Sequence, residues 1–150
     1  MHPIPVIKRG FGGSRLRSVI HYADRIVLPY KPRAIVLFAG TNDIAGNAND
    51  KSPEMLLNDF VEFANLVNIE LPGCLLYYLP ITPTTKRWSV WPQANKANEL
   101  IRKYISENPA LRYIDVTNKF LLPNGQPDKD LLWLDGIHLN GKGYEVWAKH

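Results

Sequence analysis

Cysteine is almost absent from this chain: Cys74 is the only one in 150 residues. One cysteine excludes an intramolecular disulfide and a cysteine-built metal cluster. It lies within Cys74-Leu75-Leu76-Tyr77-Tyr78-Leu79, where it reads as a small hydrophobe in a buried strand. No apolar run approaches the ~18 residues that a membrane span requires. Met1-His2-Pro3-Ile4-Pro5 lacks the apolar stretch of a secretory leader. A cytoplasmic location fits these absences. Acidic residues are scarce early: residues 1–33 carry Lys8, Arg9, Arg15, Arg17, Arg25, Lys31 and Arg33 against Asp24 alone. Such a stretch can attract anions, or it can be a solvated helix face beside a basic loop. No nucleic-acid motif accompanies it, so nucleic acid is not expected as a partner. Serine is missing from Met1–Pro5, and the chain holds only Ser14, Ser18, Ser52, Ser89 and Ser106.

What is present describes one globular domain over residues 1–150. Hydrophobic content of 45% and charged content of 21% are ordinary for a folded soluble protein. Short apolar runs alternate with helical patterns, which predicts an α/β fold with a parallel sheet. The runs predict strands at Ile4–Ile7, Ala34–Ala39, Cys74–Leu79 and Tyr113–Val116, the middle two buried on both faces. A first helix is expected over Ser14–Ile26. Ser52-Pro53-Glu54 marks another helix start, with Ser as cap, Pro at the first helical position and an acid in the first turn. A third helix spans Pro92–Glu107 and stops before Asn108-Pro109. A last one begins near Gly141. Ile81–Trp91 has no clear period and reads as a long loop after a strand, where open α/β sheets place their sites.

Three short segments carry candidate chemistry. In Asp135-Gly136-Ile137-His138 a carboxylate three residues before an imidazole can accept a hydrogen bond from the ring. That contact fixes the tautomer and leaves the other nitrogen as a base. Taken alone, the same spacing also suits a surface turn before a helix. In Gly40-Thr41-Asn42-Asp43 the Asn42 amide can stabilise a developing oxyanion, or the segment can be an Asn/Asp turn. In Gly12-Gly13-Ser14 the Gly13 N–H is a second candidate donor, or the glycines serve a strand-to-helix turn. The third glycine of a dinucleotide-binding G-x-G-x-x-G is missing, so no such cofactor is expected. No metal ligands are proposed. Trp88 and Trp91 can pack on a substrate or anchor their loop to the core, with Lys86 or Arg87 at the rim. Trp133 stands just before the Asp135 turn and is expected to shield the histidine from water.

In order and spacing, these blocks resemble the SGNH (GDSL-type) hydrolase family over nearly the whole chain. Val6-Ile7-Lys8-Arg9-Gly10-Phe11-Gly12-Gly13-Ser14 is similar to the family's second block. Ala39-Gly40-Thr41-Asn42-Asp43 is similar to its third. Asp135-Gly136-Ile137-His138-Leu139-Asn140 is similar to its fifth, followed by the Gly143-Tyr144 helix. The resemblance implies a three-layer, flavodoxin-like parallel sheet with helices on both faces. It implies a serine ester hydrolase acting on a small-molecule ester without a cofactor. Gly13 and Asn42 would bind the oxyanion, His138 would be the base and Asp135 its orienter.

The departures are specific. The family's first block, a strand ending in the serine-bearing turn, precedes the second, yet Met1–Pro5 holds no serine. Lys8 stands where the second block opens with asparagine. Ser14 adjoins the candidate oxyanion glycine and is too close to it to serve as nucleophile. The expected chain is therefore truncated at its N-terminus, and at His150 as well, lacks the first central strand, and has weak activity or none. The alternatives are a non-catalytic module that binds a small anion or sugar, or one half of an assembly whose partner supplies the serine. The strand position left unfilled points to self-association or local rearrangement.

Overall fold

A computed structural model describes residues 4–150. The segment Met1-His2-Pro3, read above for a leader, lies outside the described residues.

Three short parallel strands form the sheet: β1 (Ala34–Leu37), β2 (Leu75–Tyr78) and β3 (Leu111–Tyr113), in the spatial order β1-β2-β3. Val36 lies beside Tyr77, and Tyr77 beside Arg112. Among the described residues, five α-helices accompany them: α1 (Leu16–His21), α2 (Ala23–Ile26), α3 (Pro53–Glu70), α4 (Trp91–Ser106) and α5 (Gly141–Ala148). Strand order follows chain order, so right-handed crossovers place the linking helices α3 and α4 on the same face. They pack against each other there, with α1 beside α3. Leu16, Leu37, Phe60, Phe63, Leu76, Tyr78 and Ile101 form the centre of this larger core. The opposite face is thinner. It gathers Leu79, Val116, Phe120, Leu132 and Leu139 under Val146 and Trp147 of α5. The α/β prediction, with a parallel sheet and helices on both faces, therefore holds. Cys74 sits in the larger core, and burial pushes its thiol pKa up.

α3 begins as its sequence dictates: Ser52 Oγ accepts the Met55 N–H at 3.2 Å, and Pro53 occupies the first helical position. Its buried stripe is Leu56, Phe60, Phe63, Ala64 and Val67, and Leu57 and Val61 are half-buried. α4 buries Ala94, Ala97, Ile101 and Ile105 as its period predicts, and also Asn98. The Asn98 amide forms 2.9 Å bonds with both the N–H and the C=O of Ile81, fixing the chain where it leaves β2. Leu100 is half-buried and Tyr104 packs at the edge of the core.

Four expectations are corrected. Ile4–Ile7 is not a strand: it pairs with nothing among the described residues, and Ile4 and Val6 are three-quarters exposed. Pro5 offers no N–H to a ladder, and no neighbouring strand is there to receive one. β1 is buried on one face only. Leu37 points into the core, while Val36 is 66% exposed and Phe38, also exposed, packs edge-on against Trp147. The helix expected over Ser14–Ile26 is broken at Tyr22 into α1 and α2. β3 lies at Leu111–Tyr113, ahead of the expected Tyr113–Val116.

Candidate active site

The chain leaves β1 through Ala39-Gly40 and leaves β2 through Pro80-Ile81, so both exits sit at the C-terminal edge of the parallel sheet. That edge is where open α/β sheets collect functional loops. Gly40 has φ of 115°, and a Cβ there would come within 3.0 Å of Leu56 Cδ2 and 3.3 Å of Ile81 Cδ1. Only glycine lets the turn lie this close to α3 and to the β2 exit. The Asp43 and Ile44 N–H groups donate back to the Gly40 carbonyl, closing the turn that presents Asn42.

Asp43 anchors this turn from below. It is fully buried, its Oδ2 accepts the Leu16 N–H at 3.0 Å, and Oδ1 lies 3.4 Å from the Lys51 ammonium. Lys51 also pairs with Asp59 of α3. A buried carboxylate is tolerable only with such partners. One side chain thereby caps α1 and holds the Asn42 turn against it. Asn42 then reaches across: its Nδ2 donates to the Ser14 carbonyl at 3.0 Å. Gly13, with φ of 69°, directly precedes that residue and is exposed. Asn42 is thus held against the segment that carries Gly13.

The acid–imidazole pair is a separate, self-contained turn. Leu132 and Leu139 face each other in an antiparallel bridge and are buried in the smaller core. The Trp133 N–H donates to the His138 carbonyl at 2.8 Å, closing a tight loop. Within it Asp135 Oδ1 accepts the N–H groups of Ile137 and His138 at 2.8 and 3.0 Å, and Oδ2 lies 2.7 Å from His138 Nδ1. The ring contact first, then the two N–H bonds, hold the Asp135 carboxyl well below the usual carboxylate range. An ionised carboxylate only accepts, so in the neutral ring Nδ1 carries the proton and Nε2 has the lone pair. Nε2 makes no hydrogen bond among the described residues, and the His138 side chain is 72% exposed. The expectation that Trp133 shields this ring is corrected. Trp133 is itself 61% exposed and turns toward an open groove of about 960 Å³ shared with Thr85, Leu134 and Gly136.

The segment between β2 and α4 joins the two halves. The Lys86 N–H and the Thr85 hydroxyl both donate to the Gly136 carbonyl, at 3.1 and 3.3 Å. Gly136 has φ of 68°, and a Cβ on it would lie 2.5 Å from Thr85 Oγ1. Arg87 points the other way, to the Asn42 turn. Of the two basic residues expected at the rim, Lys86 is exposed and Arg87 is half-buried, and burial draws the Arg87 pKa down against a raising pull from Asp50. Trp91 is the first residue of α4 and packs on the larger core, with Trp88 stacked on it at 6.1 Å. Sequence reading missed Asp43 and the inward direction of Arg87. An aspartate closing an apolar run was the one visible signal for the first, and the second had none.

Among the described residues, no group of His, Cys, Asp and Glu is placed to hold a metal ion, and no helix is long and apolar enough to cross a membrane. The profile of the GDSL-like Lipase/Acylhydrolase family matches residues 1–146. The chain belongs to that family. No curated protein sequence matches it significantly. Similar folds occur in an inferred acylhydrolase from Bacteroides fragilis NCTC 9343, with TM-score 0.81 and 20% identity over 94% of this chain and 69% of that one. A GDSL-like lipase from Bacteroides thetaiotaomicron VPI-5482 gives TM-score 0.77 and 19% identity over 94% of this chain and 70% of the other. The acetyl xylan esterase AlAXEase gives TM-score 0.79 and 20% identity over 94% of this chain and 76% of its own. This family member's sheet, with three strands, is smaller than the full family's.

Proposed function

We propose that this chain carries the base and oxyanion half of an ester-hydrolase site for small carboxylic or carbohydrate acyl esters. The observation supporting the reading is the 2.7 Å Asp135–His138 contact, which leaves Nε2 as an exposed lone pair. In the reaction, His138 Nε2 takes a proton from the attacking hydroxyl as the oxygen–carbonyl bond forms. Asn42 Nδ2–H and the Gly13 N–H stabilise the charge developing on the carbonyl oxygen. His138 then returns the proton to the departing alcohol, and Asp135 keeps the ring in one tautomer throughout. Trp88, Trp91 and Trp133 are the proposed substrate walls. None of the five serines is hydrogen-bonded to His138 among the described residues. The isolated chain is therefore expected to use water as the attacking group and to turn over slowly.

The test is hydrolysis of p-nitrophenyl acetate by the purified chain beside His138→Ala. A slow rate abolished in the variant supports the reading. Equal rates would sink it. Labelling of the chain by a fluorophosphonate would overturn the claim that it has no serine nucleophile of its own.

A second reading is favoured by the outer edge of β1, which pairs with nothing among the described residues and exposes Val36. Such an edge accepts a strand from another chain, a second copy included. Val36→Lys would then reduce an oligomer seen by light scattering to a monomer. A wild-type chain already monomeric at high concentration would remove the self-association version.

A further inference from the structure

The Asn42 carboxamide is held at both ends. Its Nδ2 donates to the Ser14 carbonyl at 3.0 Å, and its Oδ1 accepts from Arg87 Nη2 at 3.2 Å. A guanidinium only donates and a carbonyl only accepts, so these partners fix which end of the amide is nitrogen. Arg87 Nη1 also bonds the Thr41 carbonyl at 2.6 Å and the Thr41 hydroxyl at 3.1 Å. The planar fork therefore grips two successive residues of the turn, a geometry that a lysine ammonium cannot reproduce. One Nδ2 proton is committed to Ser14, and the second has no partner among the described residues. The two residues before Arg87 hold the Gly136 carbonyl of the acid–imidazole turn.

We propose that Arg87 is a positioning residue: it fixes and polarises the Asn42 amide as an oxyanion donor, while Thr85 and Lys86 set its place relative to His138. This rests on the reading of Asn42 as an oxyanion donor. A charge-assisted bond on Oδ1 also draws electron density from Nδ2 and strengthens its remaining N–H as a donor.

The experiment uses the intact chain and acetate as a carboxylate probe, at constant ionic strength. The Asn42 side-chain NH₂ signals are followed by ¹H–¹⁵N NMR in wild type, Arg87→Met, Arg87→Lys and Asn42→Ala. In wild type the two protons are expected to be well separated, and one of them should shift as acetate binds. Arg87→Met should bring the two signals together and weaken acetate binding about three- to tenfold, the equivalent of one hydrogen bond. Arg87→Lys keeps the charge without the fork and should restore neither fully. Unchanged Asn42 signals and affinity in Arg87→Met would overturn the proposal. So would full recovery of affinity in Arg87→Lys with the Asn42 signals still collapsed, which would mean charge attraction alone. Acetate binding that survives Asn42→Ala, or no binding by wild type, would overturn the oxyanion reading itself and leave Arg87 nothing to position.

Discussion

The two halves of the site are built in opposite ways. The acid–imidazole half is local. Asp135 bonds residues two and three places ahead of it, and two buried leucines pin the loop to the smaller core. The proposed oxyanion half is assembled from remote stretches: Ser14 lies 28 positions from Asn42, and Arg87 lies 45 positions from it. A local turn depends on its own few residues. A remote assembly depends on every element that carries a part, and here on one buried carboxylate beneath it.

The sharpest way to break that contrast is Asp43→Ala. It leaves the buried Leu16 N–H without an acceptor and Lys51 short of one partner. Loss of one member of such a buried pair costs about 3 kcal/mol, to be read by urea unfolding. In the folded fraction the Asn42 signals should move while the His138 ring signals stay. Movement of both would erase the distinction between the halves. Gly136→Ala comes next, because it tests the bridge between them. The left-handed backbone costs a side chain roughly 1–2 kcal/mol, before the 2.5 Å approach to Thr85 Oγ1 is counted. Removing the hydroxyl in the double variant with Thr85→Ala should recover part of the loss, and strict additivity would mean that the contact carries no energy. Smallest in stability is the acid itself. Asp135 has a folded pKa held below its unfolded value, so its contribution is complete above the ordinary aspartate range near ~3.9. It fades as pH falls through the depressed folded value. A carboxyl ¹³C titration should find Asp135 still ionised at a pH where ordinary aspartates are half protonated. Asp135→Asn should leave thermal unfolding at neutral pH nearly unmoved, since the side chain is exposed to solvent that screens its contacts, while abolishing the proton held on His138 Nδ1.

Legibility in the sequence followed the same division. Asp135 and His138 are visible because their chemistry is written within four residues, and α3 because Ser52-Pro53-Glu54 starts it and its apolar period sustains it. β2 is visible as an unbroken apolar run. Arg87 is not, since its partners are set by where the β1 and β2 exits meet in space, and an arginine in a polar loop carries no mark of direction. Asn98 hides for the same reason: on a helical wheel it is one polar residue within an apolar stripe, and only the fold supplies the Ile81 backbone that satisfies it. Ile4–Ile7 shows the converse error. An apolar run is necessary for a strand, but a strand also needs a neighbour, and a run with Pro5 inside it finds none here.

The order β1-β2-β3 leaves a single strand with neighbours on both sides. Every β2 backbone group that points sideways is therefore flanked by a strand, whereas β1 and β3 each have one margin without a partner strand among the described residues. Amide exchange should rank accordingly, slowest along Leu75–Tyr78 and faster outward. The loops of the candidate site leave from a frame with one stiff rib, so their relative motions should pivot about it.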